Sequence, residues 1–229
     1  MARLQNTAEG QAAGTTLTAA NSGGGSGDAF NSVQGTSTFQ NVPAPRSGSL
    51  RCFRADAAAS YGNWTSYSAV NGSLVAARAY FYATALPTTS GLLLNVDRGS
   101  SAGARIGVLT SGLFIVQGTS GTVFTSPSGV TMPLNQWVRL ELMATGGGNA
   151  SSGTIRAAAY VGDSTTPLWL YERFNDANTG TGGLNIVRAG RFSGAWPTLY
   201  YDDLAAQDAA TAFIGPALRY PSDKFFPFF

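Results

Sequence analysis

Side chains able to do acid–base work are few in this chain. Glutamate occurs only at Glu9, Glu141 and Glu172. Hydrolysing a glycosidic bond takes two carboxyl groups about 5–9.5 Å apart, and the obvious pair is Glu172 with Asp176 in Tyr171-Glu-Arg-Phe-Asn-Asp176. Arg173 stands between them, which suits a surface ion pair better than catalysis. Arg139 and Glu141 likewise read as a same-face salt bridge, worth about 0–1 kcal/mol when exposed. There is no His, and Cys52 is the only Cys. That excludes Ser-His-Asp and Cys-His systems, disulfides within the chain and zinc sites of the usual kind. Cys52, between Arg51 and Phe53 in a strand-like run, reads as a buried core thiol.

Binding chemistry is better supplied. Trp64, Tyr67, Trp137, Trp169, Tyr171 and Trp196 could form a sugar-binding face, since flat aromatics stack on pyranose rings; the same residues also fill sandwich cores. Trp64 lies beside Gly62-Asn63, and Trp196 between Gly194 and Pro197. These two, next to turn residues, are the expected exposed glycan-binding residues. With Lys+Arg 14 and Asp+Glu 12, the net charge of +2 gives no electrostatic case for nucleic acid or an anionic membrane. No apolar run approaches the ~20 residues of a membrane span. The first ten residues lack the apolar core of a signal peptide, so the expectation is a cytoplasmic protein or one released inside a particle.

These residues are positioned by strands. Asn135–Met143 alternates strictly: Val138, Leu140 and Leu142 point one way, and Trp137, Arg139, Glu141 and Met143 the other. One face should be core, the other a solvated face or the floor of a groove. Further strand-like runs are Ser49–Arg54, Trp64–Ala69, Leu74–Thr84, Leu92–Asp97, Arg105–Leu109, Leu113–Gln117, Val123–Ser126, Thr154–Val161, Leu168–Arg173, Leu184–Phe192 and Thr198–Ala205, each bounded by Gly, Pro, Asn or Ser. A dozen short strands with turns between them predict an all-β, two-sheet antiparallel sandwich. Ala76–Thr84, apolar at nearly every position, reads as a central strand covered on both sides, with Thr154–Val161 as its neighbour. Ala55–Ser60 and Ala205–Ala212 could each hold a turn or two of helix. Ser22-Gly-Gly-Gly-Ser-Gly27 reads as an ordered loop, with Phe30 anchored in the core behind it.

The Pro133-x-x-x-Trp-x-Arg-x-Glu141 strand after the hairpin Thr110–Val116, the closing Leu199-Tyr-Tyr-Asp-Asp-Leu204 and the opening Asn6–Gly10 with Asn21–Gly27 resemble the concanavalin A-like, laminin-G-like jelly-roll superfamily over most of Asn6–Gln207. In those families the first and last strands lie side by side, and a carboxylate from each can share a calcium ion. The resemblance therefore implies Glu9, Asp202 and Asp203, with Asp28 as a further ligand, as a structural Ca²⁺ site. Calcium takes ~6–8 oxygen ligands, and a Gly-rich loop can supply carbonyls. The Glu-x-Asp-x-x-Glu strand of laminarinase-like relatives is absent.

In style and composition the chain also resembles jelly-roll minor structural proteins of actinobacterial tailed phages. Residues 1–211 are expected as the sandwich domain, and 212–229 as a C-terminal arm with Pro216, Pro221 and Pro227. So aromatic a tail should be docked, and the reading taken here is an assembly anchor through Phe225, Phe226, Phe228 and Phe229 in a neighbouring subunit. The expected function is a non-enzymatic virion structural protein, in the tail or as capsid decoration, able to adhere to host-surface glycans. Its partners would be other virion proteins and copies of itself, not nucleic acid or membrane. A carbohydrate-binding module is the alternative, and a glycoside hydrolase or polysaccharide lyase follows behind.

Overall fold

The computed structural model describes residues 3–46, 48–64, 74–99, 101–147, 149 and 151–217. Among them fifteen strands run in chain order. The first eight are β1 (Arg3–Asn6), β2 (Ser32–Gln34), β3 (Ser37–Arg46), β4 (Ser49–Ala55), β5 (Ser60–Trp64), β6 (Val75–Ala83), β7 (Gly91–Arg98) and β8 (Ser101–Val108). The rest are β9 (Phe114–Gly118), β10 (Gly121–Thr125), β11 (Trp137–Thr145), β12 (Gly153–Val161), β13 (Trp169–Ala177), β14 (Ile186–Arg191) and β15 (Leu199–Gln207). An eight-stranded sheet has the order β13-β12-β11-β6-β15-β4-β3, with β1 paired to β15. A seven-stranded sheet has the order β10-β9-β8-β7-β14-β5-β2. All ladders are antiparallel.

The expected two-sheet sandwich is what forms. Ala77, Ala79 and Phe81 of β6 and Val138, Leu140 and Leu142 of β11 meet Leu94, Val96, Ile106 and Val116 of the facing sheet in one core. Phe30 is 3% exposed and closes one end, packing on Trp64 at 5.3 Å and Phe53 at 5.9 Å between ring centroids. It needs Gly62 beneath it, where an added Cβ would come 2.6 Å from the ring. As expected, β6 is buried at every position. Its neighbours, however, are β11 and β15; β12 lies one strand further out, beyond β11.

The expected strand Trp64–Ala69 meets β5 only at Trp64, and 65–69 lie outside the described residues; three further strands were hidden in the sequence. Of these, β3 lies in Ser/Thr/Asn-rich text and contains Pro43 and Pro45, which an edge strand tolerates. The other two are β1 and the three-residue β2. The expected helical turns do not form: Ala55 ends β4, a turn follows with Ala59 at φ 53°, and Ser60 opens β5. Ala205 and Ala206 sit inside β15, paired on both sides to β1 and β6. Their small side chains serve a crowded sheet centre.

The outer face of the eight-stranded sheet overturns the reading of β11. Trp137, Arg139, Glu141 and Met143 do share a face, but each is at most 4% exposed. That face is covered by the chain returning after β15. Ala210 packs on Ala76 and Met143, joined by Phe213 and Ile214, and Ala217 packs beside Tyr80, Tyr82 and Trp137. The part of the predicted arm from Ala212 to Ala217 therefore docks on its own domain. Phe225, Phe226, Phe228 and Phe229 lie outside the described residues, as does Tyr67.

Candidate functional site

The carboxylates expected to hold calcium meet in part. At Asp202–Asp203, β15 bulges, with Asp203 at φ 45°, and passes from β4 to β1 as its partner. Ser49 Oγ donates to Asp202 at 2.6 Å, and Glu9 accepts from Ser49 Oγ at 3.2 Å and from the Leu50 amide at 2.9 Å. First and last strands thus bring acids together, but their cation is a guanidinium. Arg46, stacked 4.0 Å above the Tyr80 ring, binds Asp202 at 3.0 Å and also pairs with Asp203. Asp28 is occupied elsewhere, accepting the Gln5 amide at 2.8 Å. Among the described residues no group of three or more His, Cys, Asp or Glu converges as a metal site. The set Glu9, Asp28, Asp202 and Asp203 does not form one calcium site as it stands, because Asp28 is held on the Gln5 amide and Arg46 occupies the place between Asp202 and Asp203.

Beside this cluster runs the Arg139–Glu141 pair, at 2.8 Å with side chains 2% and 1% exposed. The remaining Arg139 donors reach the Gly162 carbonyl at 3.1 Å and the Ser164 carbonyl at 2.9 Å. Glu141 accepts the Gly215 amide at 3.0 Å, and Arg78 donates to the Gly215 carbonyl at 3.0 Å. Burial pulls the Arg78 pKa down to about 10, against the opposing pull of Tyr80 and Glu141. Tyr80 donates to Asp163 and accepts the Ala217 amide at 2.9 Å; its pKa is raised, first by burial and then by that bond to Asp163. Cys52 is wholly buried, as expected, and burial pushes its thiol pKa up, with Asp202 and Glu9 adding to the shift. Most of these polar groups bond within the protein, but Arg46 Nε, Arg46 Nη1 and Arg78 Nη2 are buried without a hydrogen-bond partner among the described residues.

The aromatic candidates are also largely absorbed. Trp64 is 2% exposed and gives its indole N–H to the Ala29 carbonyl at 3.0 Å. The expectation of a glycan-binding Trp64 fails because the Gly62-Asn63 stretch beside it is strand, not turn, and turns its indole onto Phe30. Trp196 is 5% exposed, and Trp137 and Trp169 are buried as well. What remains accessible of Trp196 lines a pocket at one end of the sandwich. Glu172 and Asp176 do not pair for catalysis: Glu172 binds Arg156 at 2.6 Å and Asp176 binds Arg173 at 2.8 Å.

The outer face of the seven-stranded sheet is different. Strand register aligns Ser32, Asn63, Arg188, Asn95, Arg105, Gln117 and Thr122 in one row, one residue from each strand. Six inter-strand steps of ~4.8 Å make this row about 29 Å long. At its centre Asp97, fully buried, takes Arg188 at 2.6 Å and Arg105 at 3.0 Å, while the side chains of both arginines stay partly exposed. Two cations to one carboxylate leave the centre with an excess positive charge. Phe192 lies 5.3 Å from Arg105, 5.5 Å from Arg188 and 5.0 Å from the Tyr61 ring. Asn63 Oδ1 and Asn95 Oδ1, one on each side of Arg188 in the row, are buried acceptors with no hydrogen-bond partner in the protein.

The sequence reading missed this row. Its signal is a polar residue at every second position of otherwise apolar strands, Asn95 and Asp97 in β7 and Arg188 in Ile186-Val-Arg-Ala189. Only pairing could show that these positions line up.

No protein-family model matches the sequence, and no curated protein matches it. Solved structures do. A Shewanella oneidensis protein of unknown function is similar over 92% of this chain and 88% of its own, with a TM-score of 0.52 and 15% identity. Alginate lyase Aly36B, as a mutant in complex with alginate trisaccharide, is similar over 90% and 97%, with a TM-score of 0.51 and 10% identity. A mutant Trypanosoma rangeli sialidase with trans-sialidase activity is similar over 89% of this chain, with a TM-score of 0.51 and 9% identity, and the chain spans 30% of its length. What these likenesses share with this chain is the fold, a concanavalin A-like jelly-roll β-sandwich.

Proposed function

We propose that this chain is a non-enzymatic glycan-binding β-sandwich whose binding surface is the outer face of the seven-stranded sheet, with a preference for acidic chains. The observation that carries the reading is the seven-residue row. It offers what a polyhydroxylated ligand needs: guanidinium donors at Arg105 and Arg188, unpartnered amide acceptors at Asn63 and Asn95, and the half-buried rings of Tyr61 and Phe192 beside them. An unpartnered buried acceptor costs about 1–3 kcal/mol, and a ligand hydroxyl arriving there removes that cost. The similar structures lend general support, since one of them holds an alginate trisaccharide. A non-catalytic role fits the carboxylates, because Asp97, Glu141 and Glu172 each sit in an ion pair. The virion setting expected from composition is independent of this reading.

The test is retention on immobilised alginate and on neutral dextran, with the eluted polysaccharide assayed for new chain ends. Retention on alginate that weakens with salt, falls at least tenfold in Arg188→Gln or Arg105→Gln, and yields no cleavage is the expected result. Retention on neither matrix, indifference to both substitutions, or turnover overturns the proposal.

A further inference from the structure

The end pocket holding Trp196 is a separate place from the seven-residue row. It encloses about 350 Å³ where the two sheets meet, at the small end of the roughly 300–1,000 Å³ range of ligand pockets. Arg54 comes from the end of β4 and Asp56 just after it, Arg191 from the end of β14, Trp196 and Thr198 from the connection into β15, and Tyr200 from the start of β15. The wall is held by backbone. Thr88 donates to the Ala195 carbonyl at 2.7 Å and Ala195 to Thr89 Oγ1 at 2.9 Å, so the turn is tied to the chain entering β7. Gly194, at φ 84°, lies so close to Gly91 that an added Cβ would come 2.5 Å from its Cα. Such a pocket exists before any ligand arrives.

Its charges do not balance. Arg54 is paired with Asp56, whose other oxygen accepts the Thr38 hydroxyl at 2.7 Å. Arg191 uses Nε on the Gly194 carbonyl at 2.8 Å, which fixes the plane of the guanidinium, and it has no carboxylate partner among the described residues. An oriented guanidinium without a counter-charge is suited to a carboxylate, which it can grip with two parallel hydrogen bonds. Trp196, 5% exposed, reaches the pocket with only a small part of its ring, and its buried indole nitrogen has no acceptor in the protein. Thr198 and Tyr200 add hydroxyl-bearing side chains that can meet a polyol.

We infer that this pocket binds one acidic sugar unit, with its carboxylate on Arg191 and its ring beside the exposed part of Trp196. The volume admits a single ring rather than a chain, which distinguishes it from the long row on the sheet face. The inference stands on the pocket alone, whatever binds the sheet.

The experiment follows backbone and indole N–H resonances of the full chain during titration with glucuronate, glucose and acetate. Trp196→Phe identifies the Trp196 indole signal. Glucuronate is expected to move the Trp196 indole and the amides of Arg54, Arg191 and Thr198, with glucose at least tenfold weaker. Arg191→Gln should abolish the response while leaving the rest of the spectrum in place, and Arg191→Lys should restore only part of it, since the charge returns without the planar fork. Equal responses to glucose overturn the role of Arg191. Equal responses to acetate overturn the sugar. Shifts confined to other parts of the molecule, or an unchanged response in Arg191→Gln, overturn the site.

Discussion

The two outward faces of this sandwich are built from the same kinds of residue, and only one of them is covered by the returning chain. Each carries arginines, carboxylates and aromatic rings on alternate positions of its strands. On the eight-stranded sheet the returning chain covers them, and Arg46, Arg78 and Arg139 turn inward to Asp202, Asp203, Glu141 and backbone carbonyls. On the seven-stranded sheet Arg105 and Arg188 share Asp97 and stay partly in water. Composition of a face therefore does not tell whether it is a site. What separates the two is cover: the chain after β15 packs over the eight-stranded face through Ala210, Phe213, Ile214 and Ala217.

The largest expected effect follows from that contrast. Removing one partner of a buried ion pair costs about 3–5 kcal/mol, because the other charge is left unpaired in the interior. Glu141→Ala should lose about that much in denaturant unfolding, since it strands Arg139 and frees the Gly215 amide. Replacing both members, as Arg139→Met with Glu141→Leu, should recover most of the loss. Arg188→Gln on the open face should cost clearly less, because the Arg188 side chain is partly exposed and Arg105 still pairs with the buried Asp97. If Glu141→Ala and Arg188→Gln cost the same, the distinction between sealed and open faces fails.

A second, smaller effect concerns the cover itself. A chain ending at Asp208 loses the hydrogen bonds from Gly215 to Glu141, from Arg78 to Gly215 and from Ala217 to Tyr80, each worth about 0.5–1.5 kcal/mol net. It should fold with stability lowered by roughly 2–4 kcal/mol, measured against a chain ending at Pro221, which keeps all three. Light scattering on full-length protein and on the chain ending at Pro221 separates the other role foreseen for the arm. A larger mass for the full chain alone places an assembly contact in the last eight residues. Equal masses remove the case for one.

Much of this was readable before any coordinates. Alternation in β11 placed Val138, Leu140 and Leu142 in the core and put Arg139 and Glu141 on one side. The unbroken apolar run of β6 marked a strand covered twice. What alternation cannot reveal is which distant segment lies on top: the cover of β11 begins more than sixty residues later, at Ala210. The same limit explains Trp64. Proximity to Gly and Asn suggested a turn, but Asn63 pairs with both Ser32 and Arg188 inside a sheet. The acids at Glu9 and Asp202 both lie on the Ser49 hydroxyl, while Arg46, on an edge strand with prolines, gave no local sign that it would be the cation of Asp202 and Asp203. The row on the seven-stranded sheet was illegible for a simpler reason: its seven members are spread from Ser32 to Arg188, and only register unites them.

The smallest effect sharpens the contrast by titration. The chain has nine Tyr. Burial raises the pKa of Tyr201 in the core and of Tyr80 and Tyr160 on the sealed face; Asp163 adds to the shift at Tyr80 and Glu141 at Tyr160. A phenol whose folded pKa lies above its unfolded value of ~10 favours the folded state while protonated. That contribution is complete below pH ~10 and is lost as pH rises through the folded values. Followed by phenolate absorbance, these three should ionise above the usual phenol range, with Tyr201, wholly buried in the core, the last of them. Glu141→Ala, which opens the sealed face, should let Tyr80 and Tyr160 ionise earlier while leaving Tyr201 late. If all nine titrate together near pH 10 in a protein that is still folded, water already reaches the eight-stranded sheet, and the two faces differ less than their contacts indicate.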